Sequence, residues 1–178
     1  MIKSYLIAGI GTLMVGTSFG QSLSANDVNP VVGDMFDYVQ SSYMSPGNSG
    51  TGQTWDFSSV TQSVTGSVDF LTSNGTFPQA TIIQDDSGGG QIHQEVSSNG
   101  IYIWGIVTGG IPITYSDAMT YVEYPLAVGT SGNDTHVATF NSGGIDFTRA
   151  GTSGWNTDGS GTVITPNGTY SDVVRVHI

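Results

Sequence analysis

The sequence contains no cysteine, and beyond residue 20 it has no lysine and only two arginines, Arg149 and Arg175. The missing cysteine excludes disulfide bonds, so packing and backbone hydrogen bonds must stabilise the fold. The net charge is −11 at pH 7, whereas nucleic acids and anionic lipid surfaces are bound through basic patches. We therefore expect no nucleic-acid partner.

Residues that favour helices are also scarce. The acidic residues are mostly aspartate, and the two glutamates are Glu95 and Glu123. Glutamate, lysine and arginine are good helix formers, whereas aspartate favours turns. Beyond the first twenty residues, no window keeps a helical apolar period over three turns. The composition predicts a fold with little helix.

The first twenty residues have the three parts of a secretory signal peptide. Lys3 supplies the positive charge, residues 5–15 form an apolar run, and residues 17–20 are mostly small. The apolar run is shorter than the roughly 20 residues needed to span a bilayer. We predict a signal peptide over residues 1–20, cleavage before Gln21, and no membrane span afterwards. The expected location is secreted, extracellular or on the outer cell surface.

Residues 21–178 have the usual length of one domain, and we expect a single β-rich extracellular domain. The last segment is predicted to be a strand that runs to Ile178 with no polar tail after it. Because chain termini are usually polar and frayed, we expect this domain to be truncated at its C-terminal end and to belong to a longer protein.

Turn signals recur at intervals of about 8–14 residues, as in all-β domains. Asn99-Gly100 joins two apolar segments and predicts a hairpin between residues 91–96 and 101–107. Other predicted strands cover residues 36–39, 64–71, 81–84, 113–115, 120–124, 135–140, 145–149, 161–165 and 170–178. The fold class predicted is all-β, an antiparallel β-sandwich or an open, barrel-like curved sheet of many short strands.

No residue is predicted to be catalytic or to bind a cofactor or metal. His93, His136 and His177 are isolated, with no partner at a metal-ligand spacing, and we expect them on sheet surfaces or half-buried. Serine is too abundant for any Ser/His/Asp combination to stand out. The pair Asp85-Asp86 precedes three glycines and is predicted to lie in a solvated loop.

Calcium is the alternative cofactor that we retain. Residues 156–161 and the pair Asp85-Asp86 offer oxygen ligands in glycine-rich segments, which suit a hard cation. However, residues 156–161 lack the leading aspartate and the later glutamate of an EF-hand loop. We expect a turn closed by a side chain at this position, with no bound ion.

The three tryptophans differ in their surroundings. Trp55 and Trp104 lie among strand residues and are predicted to be in the core. Trp155 is flanked by Gly154 and Asn156 and is the least core-like. If exposed, its ring would suit the apolar face of a sugar.

Several stretches resemble the N-terminal β-rich region of secreted Bacteroidetes proteins of the type IX secretion cargo type. They are NPVVGD at residues 29–34, GQTWDFS at 52–58, YPL at 124–126 with Gly129, GGIDFTR at 143–149, GTVITPNGTY at 161–170 and VVRV at 173–176. The resemblance implies an exported protein in which a C-terminal sorting domain would follow. It supplies no catalytic residues.

We therefore expect a secreted or cell-surface, non-catalytic β module for adhesion, matrix building or binding of a glycan or cell-surface polymer. One alternative is an accessory domain of a secreted hydrolase whose catalytic part lies beyond Ile178. Another is a half-barrel that carries an apolar ligand.

Overall fold

The computed structural model of this protein describes residues 21–41, 43–61 and 63–178. The predicted signal peptide, including Lys3, lies outside the described residues. Within them the chain forms twelve strands and one short helix. These are β1 (Ser22–Leu23), α1 (Ala25–Val28), β2 (Met35–Gln40), β3 (Gly50–Asp56), β4 (Ser63–Thr72), β5 (Ile82–Asp86), β6 (Gly90–Val96), β7 (Gly100–Thr108), β8 (Ile111–Glu123), β9 (Leu126–Ala127), β10 (Ser131–Ser142), β11 (Ile145–Thr165) and β12 (Gly168–His177).

Ten of the described strands form one open sheet. Its order is β12-β11-β10-β8-β7-β6-β5-β4-β2, with β3 pairing only with β11, and β1 and β9 form a separate pair. Strand β3 runs parallel to β11, whereas the other pairings are antiparallel. The all-β prediction is confirmed, and the sheet is open.

Neighbouring strands place two different rows of side chains on the two faces of the sheet, because successive residues of a strand point to opposite sides. Ile92, Ile106 and Ile113 are register partners on one face, which we call the Ile92 face. Ile83, His93 and Gly105 are register partners on the other, which we call the His93 face. The predicted hairpin of β6 and β7 is confirmed.

Buried apolar side chains form four clusters along the sheet. One joins the N-terminal segment to β7, β8 and β11 through Leu23, Ile101, Leu126 and Trp155 among others. A second lies across β2, β4 and β5, and a third lies between β3, β11 and β12. The fourth, around Ile103, Tyr115 and Ala138, lies on the Ile92 face. Burial of these side chains is the main favourable contribution to folding in a chain without disulfides.

The predicted strand boundaries are wrong in β8 and β11. Predicted strands 113–115 and 120–124 form one strand, as do 145–149 and 161–165. The glycines of residues 156–161 were expected in a turn, but they lie within β11, where large groups approach its backbone. Beside Gly159, a β-carbon would come within 2.8 Å of the Trp55 ring. A β-carbon on Gly161 would collide with the backbone of Gln53 on β3.

The single short helix, α1, precedes the main sheet and is fixed to it. The Asp27 carboxylate accepts hydrogen bonds from the Ser24 backbone N–H and hydroxyl, both at 2.8 Å. Beyond the helix, Asn29 accepts a 2.6 Å hydrogen bond from the Tyr124 hydroxyl. Among the described residues, no helix has the length and apolar character required to cross a membrane.

Candidate functional site

Two of the three tryptophans are core residues. Trp55 is 5% exposed and Trp155 is 6% exposed. Trp155 packs with Leu23 and Val174, so the expectation that it is the least core-like tryptophan is wrong. The physical reason is that its glycine and asparagine neighbours belong to β11 and to no loop. The prediction for Trp55 is confirmed.

Trp104 is the tryptophan that reaches the surface, and its predicted place in the core is wrong. Its side chain is half-buried on β7. The pairing of β7 shifts between Ile103 and Gly105 with respect to both of its neighbouring strands. Against β6, Trp104 is an extra residue, whereas against β8 it lies opposite residues 115–118, which do not pair with β7. A β-bulge of this kind redirects the side chain that it contains.

Glu95 of β6 holds the Trp104 ring. The indole Nε1–H donates a 2.9 Å hydrogen bond to the Glu95 carboxylate. Glu95 is also the register partner of Tyr102, so it connects the two aromatic residues on the His93 face. We call Trp104, Tyr102, Glu95 and the exposed Glu123 at the end of β8 the Trp104 patch.

The Tyr102 hydroxyl is protonated at neutral pH, and its surroundings raise its pKa further above the ordinary value of 10. Burial raises the pKa of the Tyr102 hydroxyl, and the nearby carboxylates of Glu123 and Glu95 raise it further. A protonated phenol can both donate and accept hydrogen bonds. The patch therefore combines aromatic faces with hydrogen-bonding groups of both kinds.

A shallow polar cleft lies between β10 and β11. Asp134 and Ser153 are register partners, and by the alternation of the strand they share the Ile92 face with Ala138, so they lie on the opposite face of the sheet from the Trp104 patch. Thr120 of β8 is the register partner of Tyr102. Its backbone N–H donates to the Asp134 carboxylate at 2.9 Å, and its carbonyl accepts from the Ser153 hydroxyl at 3.3 Å. The cleft has a volume of about 570 Å³ and is lined by Asn133, Asp134, Thr135, Thr152, Ser153 and Gly154. Its hydroxyl, amide and carboxylate groups suit a polar, hydroxylated ligand.

The predicted calcium segment at residues 156–161 is part of β11, and no turn forms there. Asp158 occupies a bulge between Thr157 and Gly159 and turns toward β12. Both oxygens of its carboxylate accept hydrogen bonds from Arg175, at 2.6 and 2.7 Å. The arginine also donates to the Pro46 carbonyl at 2.6 Å and lies 5.1 Å from the centre of the Trp55 ring. These contacts give Asp158 a structural role.

Asp85 and Asp86 are separated by the geometry of the strand. They end β5, and the prediction of a solvated loop is wrong at these positions because both are half-buried. As neighbours in a strand they point to opposite faces. Asp85 accepts a 2.9 Å hydrogen bond from Gln91, whereas Asp86 accepts from the Gly88 N–H at 2.6 Å and from the Tyr38 hydroxyl at 3.2 Å.

The three histidines occupy separate places. His93 and His136 are buried, which is deeper than expected, and His177 is exposed, with its Nε2 2.9 Å from the Asp158 carboxylate. His136 contacts Tyr115 edge-on, at 5.4 Å between ring centres. In the part of the chain that the structure describes, no group of three or more histidine, aspartate or glutamate side chains is placed to hold a metal.

Comparison of the chain with protein-family models, with curated proteins and with solved structures finds no match. The site therefore has to be interpreted from its own geometry. The sequence did contain one signal for Trp104, because an isolated glycine within a strand pattern, here Gly105, indicates a bulge. The cleft had no such signal, since it depends on the pairing of β10 with β11.

Proposed function

We propose that this chain is an exported, non-catalytic β module that binds a polysaccharide through the Trp104 patch. The observation that carries this proposal is the position of Trp104 in a bulge, with its indole N–H bonded to Glu95. A ring fixed in this way loses little side-chain freedom on binding, which lowers the entropic cost of association. An aromatic face suits the apolar C–H face of a sugar ring.

The groups around Trp104 support recognition of a neutral sugar. Tyr102 and Glu95 are register partners beside the ring, and the carboxylates of Glu95 and Glu123 lie near the Tyr102 hydroxyl. One sugar would stack on Trp104 and exchange hydrogen bonds with the Tyr102 hydroxyl and these carboxylates. A site of this kind recognises a neutral chain, because its own carboxylates repel acidic sugars.

The test is binding to soluble neutral polysaccharides, namely xylan, mixed-linkage β-glucan and mannan, by affinity electrophoresis and calorimetry. We expect one of them to bind, and we expect Trp104→Ala to weaken that affinity at least tenfold, about 1.4 kcal/mol, because the stacking surface is lost. Tyr43→Ala is the matched control, since Tyr43 is an 88% exposed aromatic residue outside the patch. Failure of all three polysaccharides to bind, or equal losses in the two variants, would contradict the proposal.

Export is the second part of the proposal, and it rests on the signal-like residues 1–20. When the full chain is produced in a bacterium with a general secretion pathway, we expect the exported protein to begin at Gln21. Intact-mass spectrometry measures this directly. A protein that keeps residues 1–20 and stays inside the cell would contradict export while leaving glycan binding open.

A further inference from the structure

His93 on β6 is buried without any polar partner. Its side chain is completely inaccessible to solvent, and neither ring nitrogen has a hydrogen-bond partner among the described residues. Buried polar side chains almost always have such a partner, and an exception requires a physical explanation. The neutral imidazole is tolerated here, but an imidazolium would be costly.

The cover over His93 is a short segment that we call the Phe77 loop, residues 73–81 between β4 and β5. The Phe77 ring lies 4.6 Å from the imidazole, centre to centre. It also fills the space in which a β-carbon of Gly105 would lie. Phe77 and Ala80 are the buried side chains of this loop, whereas the others are exposed or half-buried. A loop held by so few buried contacts is among the first parts of a fold to open.

The charged groups that face His93 are already engaged elsewhere. Asp85 of β5 accepts from Gln91, and Glu95 of β6 accepts from Trp104. Tyr102 of β7 carries no charge at neutral pH, because a tyrosine pKa lies near 10 and that of Tyr102 is raised further. The Phe77 loop contains no ionisable side chain. An imidazolium at this position would therefore have no counter-ion while the loop is closed, and burial lowers the pKa of His93 accordingly.

We propose that His93 is an acid-sensitive latch, in which uptake of a proton drives the Phe77 loop away from β6 and β7 so that the imidazolium reaches water. Gly105 directly follows Trp104, so the loop opens at the border of the Trp104 patch. The latch goes beyond the proposed function, and its test requires no ligand.

The pH range follows from linkage. In the open form His93 titrates near its ordinary value of 6.5, whereas the closed form resists protonation. Above this pH both forms are neutral, and the loop stays closed. Below it only the open form gains the proton, so the opening constant rises by up to about tenfold for each pH unit, until the lowered pKa of the closed form is reached.

The experiment is hydrogen exchange of the whole protein at pH 7.5 and 5.5, measured by mass spectrometry and corrected for the intrinsic effect of pH. We expect the opening constant of peptides covering residues 73–81 to rise about tenfold at the lower pH. His93→Leu should abolish this rise, and the control His177→Gln, in which an exposed histidine is removed, should retain it. A wild-type loop with equal protection at both pH values would overturn the proposal, and so would an unchanged rise in His93→Leu.

Should the leucine variant fail to fold, an NMR titration of the wild-type imidazole provides the second measurement. We expect His93 to titrate below pH 6.5, in step with the shift of the Phe77 ring signals. Titration of His93 with the Phe77 signals unmoved would overturn the proposal that protonation of His93 opens the Phe77 loop.

Discussion

Arg175 contacts a carboxylate, a backbone carbonyl and an aromatic ring at the same time. It joins the bulge at Asp158 to the segment before β3 and to the Trp55 ring. Side chains in this contact are only partly exposed, 13% for Arg175 and 28% for Asp158. A two-pronged contact between guanidinium and carboxylate is stronger than an ordinary surface ion pair. We therefore expect this residue to stabilise the attachment of β3.

Removing the charge of Asp158 tests how far this ion pair stabilises the fold. Asp158→Asn leaves the guanidinium without its carboxylate and should lower the free energy of unfolding at pH 7 by about 1–3 kcal/mol. Denaturant titration measures the loss. Asp117→Asn, at an exposed position of β8, is the control and should change stability by less than about 0.5 kcal/mol. Equal values for the two variants would contradict a stabilising role of the pair.

The pH dependence of the same pair has a defined sign. Hydrogen bonds from Arg175 lower the pKa of Asp158 below its ordinary value of 3.8, and His177 contributes in the same direction. The stabilisation is therefore complete above pH 3.8 and is lost as the pH falls through the lowered value. The difference between wild type and Asp158→Asn should accordingly shrink only below pH 3.8. A difference that already disappears by pH 5 would contradict this assignment.

Among the elements, β11 organises much of the described sheet. Its first part pairs with β10, and its last part lies between β3 and β12. The close approach of β3 requires Gly161, because any β-carbon there would overlap the Gln53 backbone, which cannot move aside as a flexible side chain can. Glycine in a strand often marks such an approach of another backbone.

Alanine substitutions at two glycines test the close approach of β3 to β11. Gly161 and Gly168 have similar backbone angles, with φ of +157° and +155°. A β-carbon on Gly168, however, would have no neighbouring atom closer than the Tyr170 hydroxyl at 3.8 Å, which is an ordinary contact. Gly161→Ala should therefore destabilise the protein by about 2 kcal/mol or more beyond Gly168→Ala, because overpacking adds to the shared backbone strain. Thermal unfolding measures both. Equal destabilisation by the two changes would argue against the close approach of β3.

How far the sequence predicts these elements depends on the range of the pairing. The hairpin of β6 and β7 follows from local alternation and from Asn99-Gly100, and it is confirmed. The parallel pairing of β3 with β11 joins residues about a hundred positions apart, so no local pattern indicates it. Glycine is also typical of turns, but the glycines of β11 leave space for the Trp55 ring and for the backbone of β3. This structural role of the glycines can be recognised only when the partner strand is known.

For the candidate site, the sequence directed attention to the aromatic residues, but the tryptophan that it singled out is buried. Trp155 has the more loop-like neighbours, yet it is buried against Leu126, whereas Trp104 reaches the surface through a bulge. Bulges depend on the register with two adjacent strands, and a single sequence does not contain that register. The histidines show the same limit, because the burial of His93 depends on Phe77 from another part of the chain.

At the scale of the whole molecule, an acidic open sheet has a largely apolar Ile92 face and an aromatic, polar patch on the His93 face. The net charge of −11 disfavours the binding of anionic partners. We propose neutral, hydroxylated chains as the ligands. The composition predicts no nucleic-acid partner, whereas the candidate site on the sheet required the structure.

The indole signals of the folded protein test the proposal that Trp104 stacks on a neutral polysaccharide. The chain has three tryptophans, so a ¹⁵N-correlated NMR spectrum contains three indole N–H signals, assigned by substitution. On titration with the polysaccharide that binds, we expect the Trp104 signal to shift and saturate while those of the buried Trp55 and Trp155 stay in place. Saturated binding with the Trp104 signal unmoved would contradict stacking on Trp104.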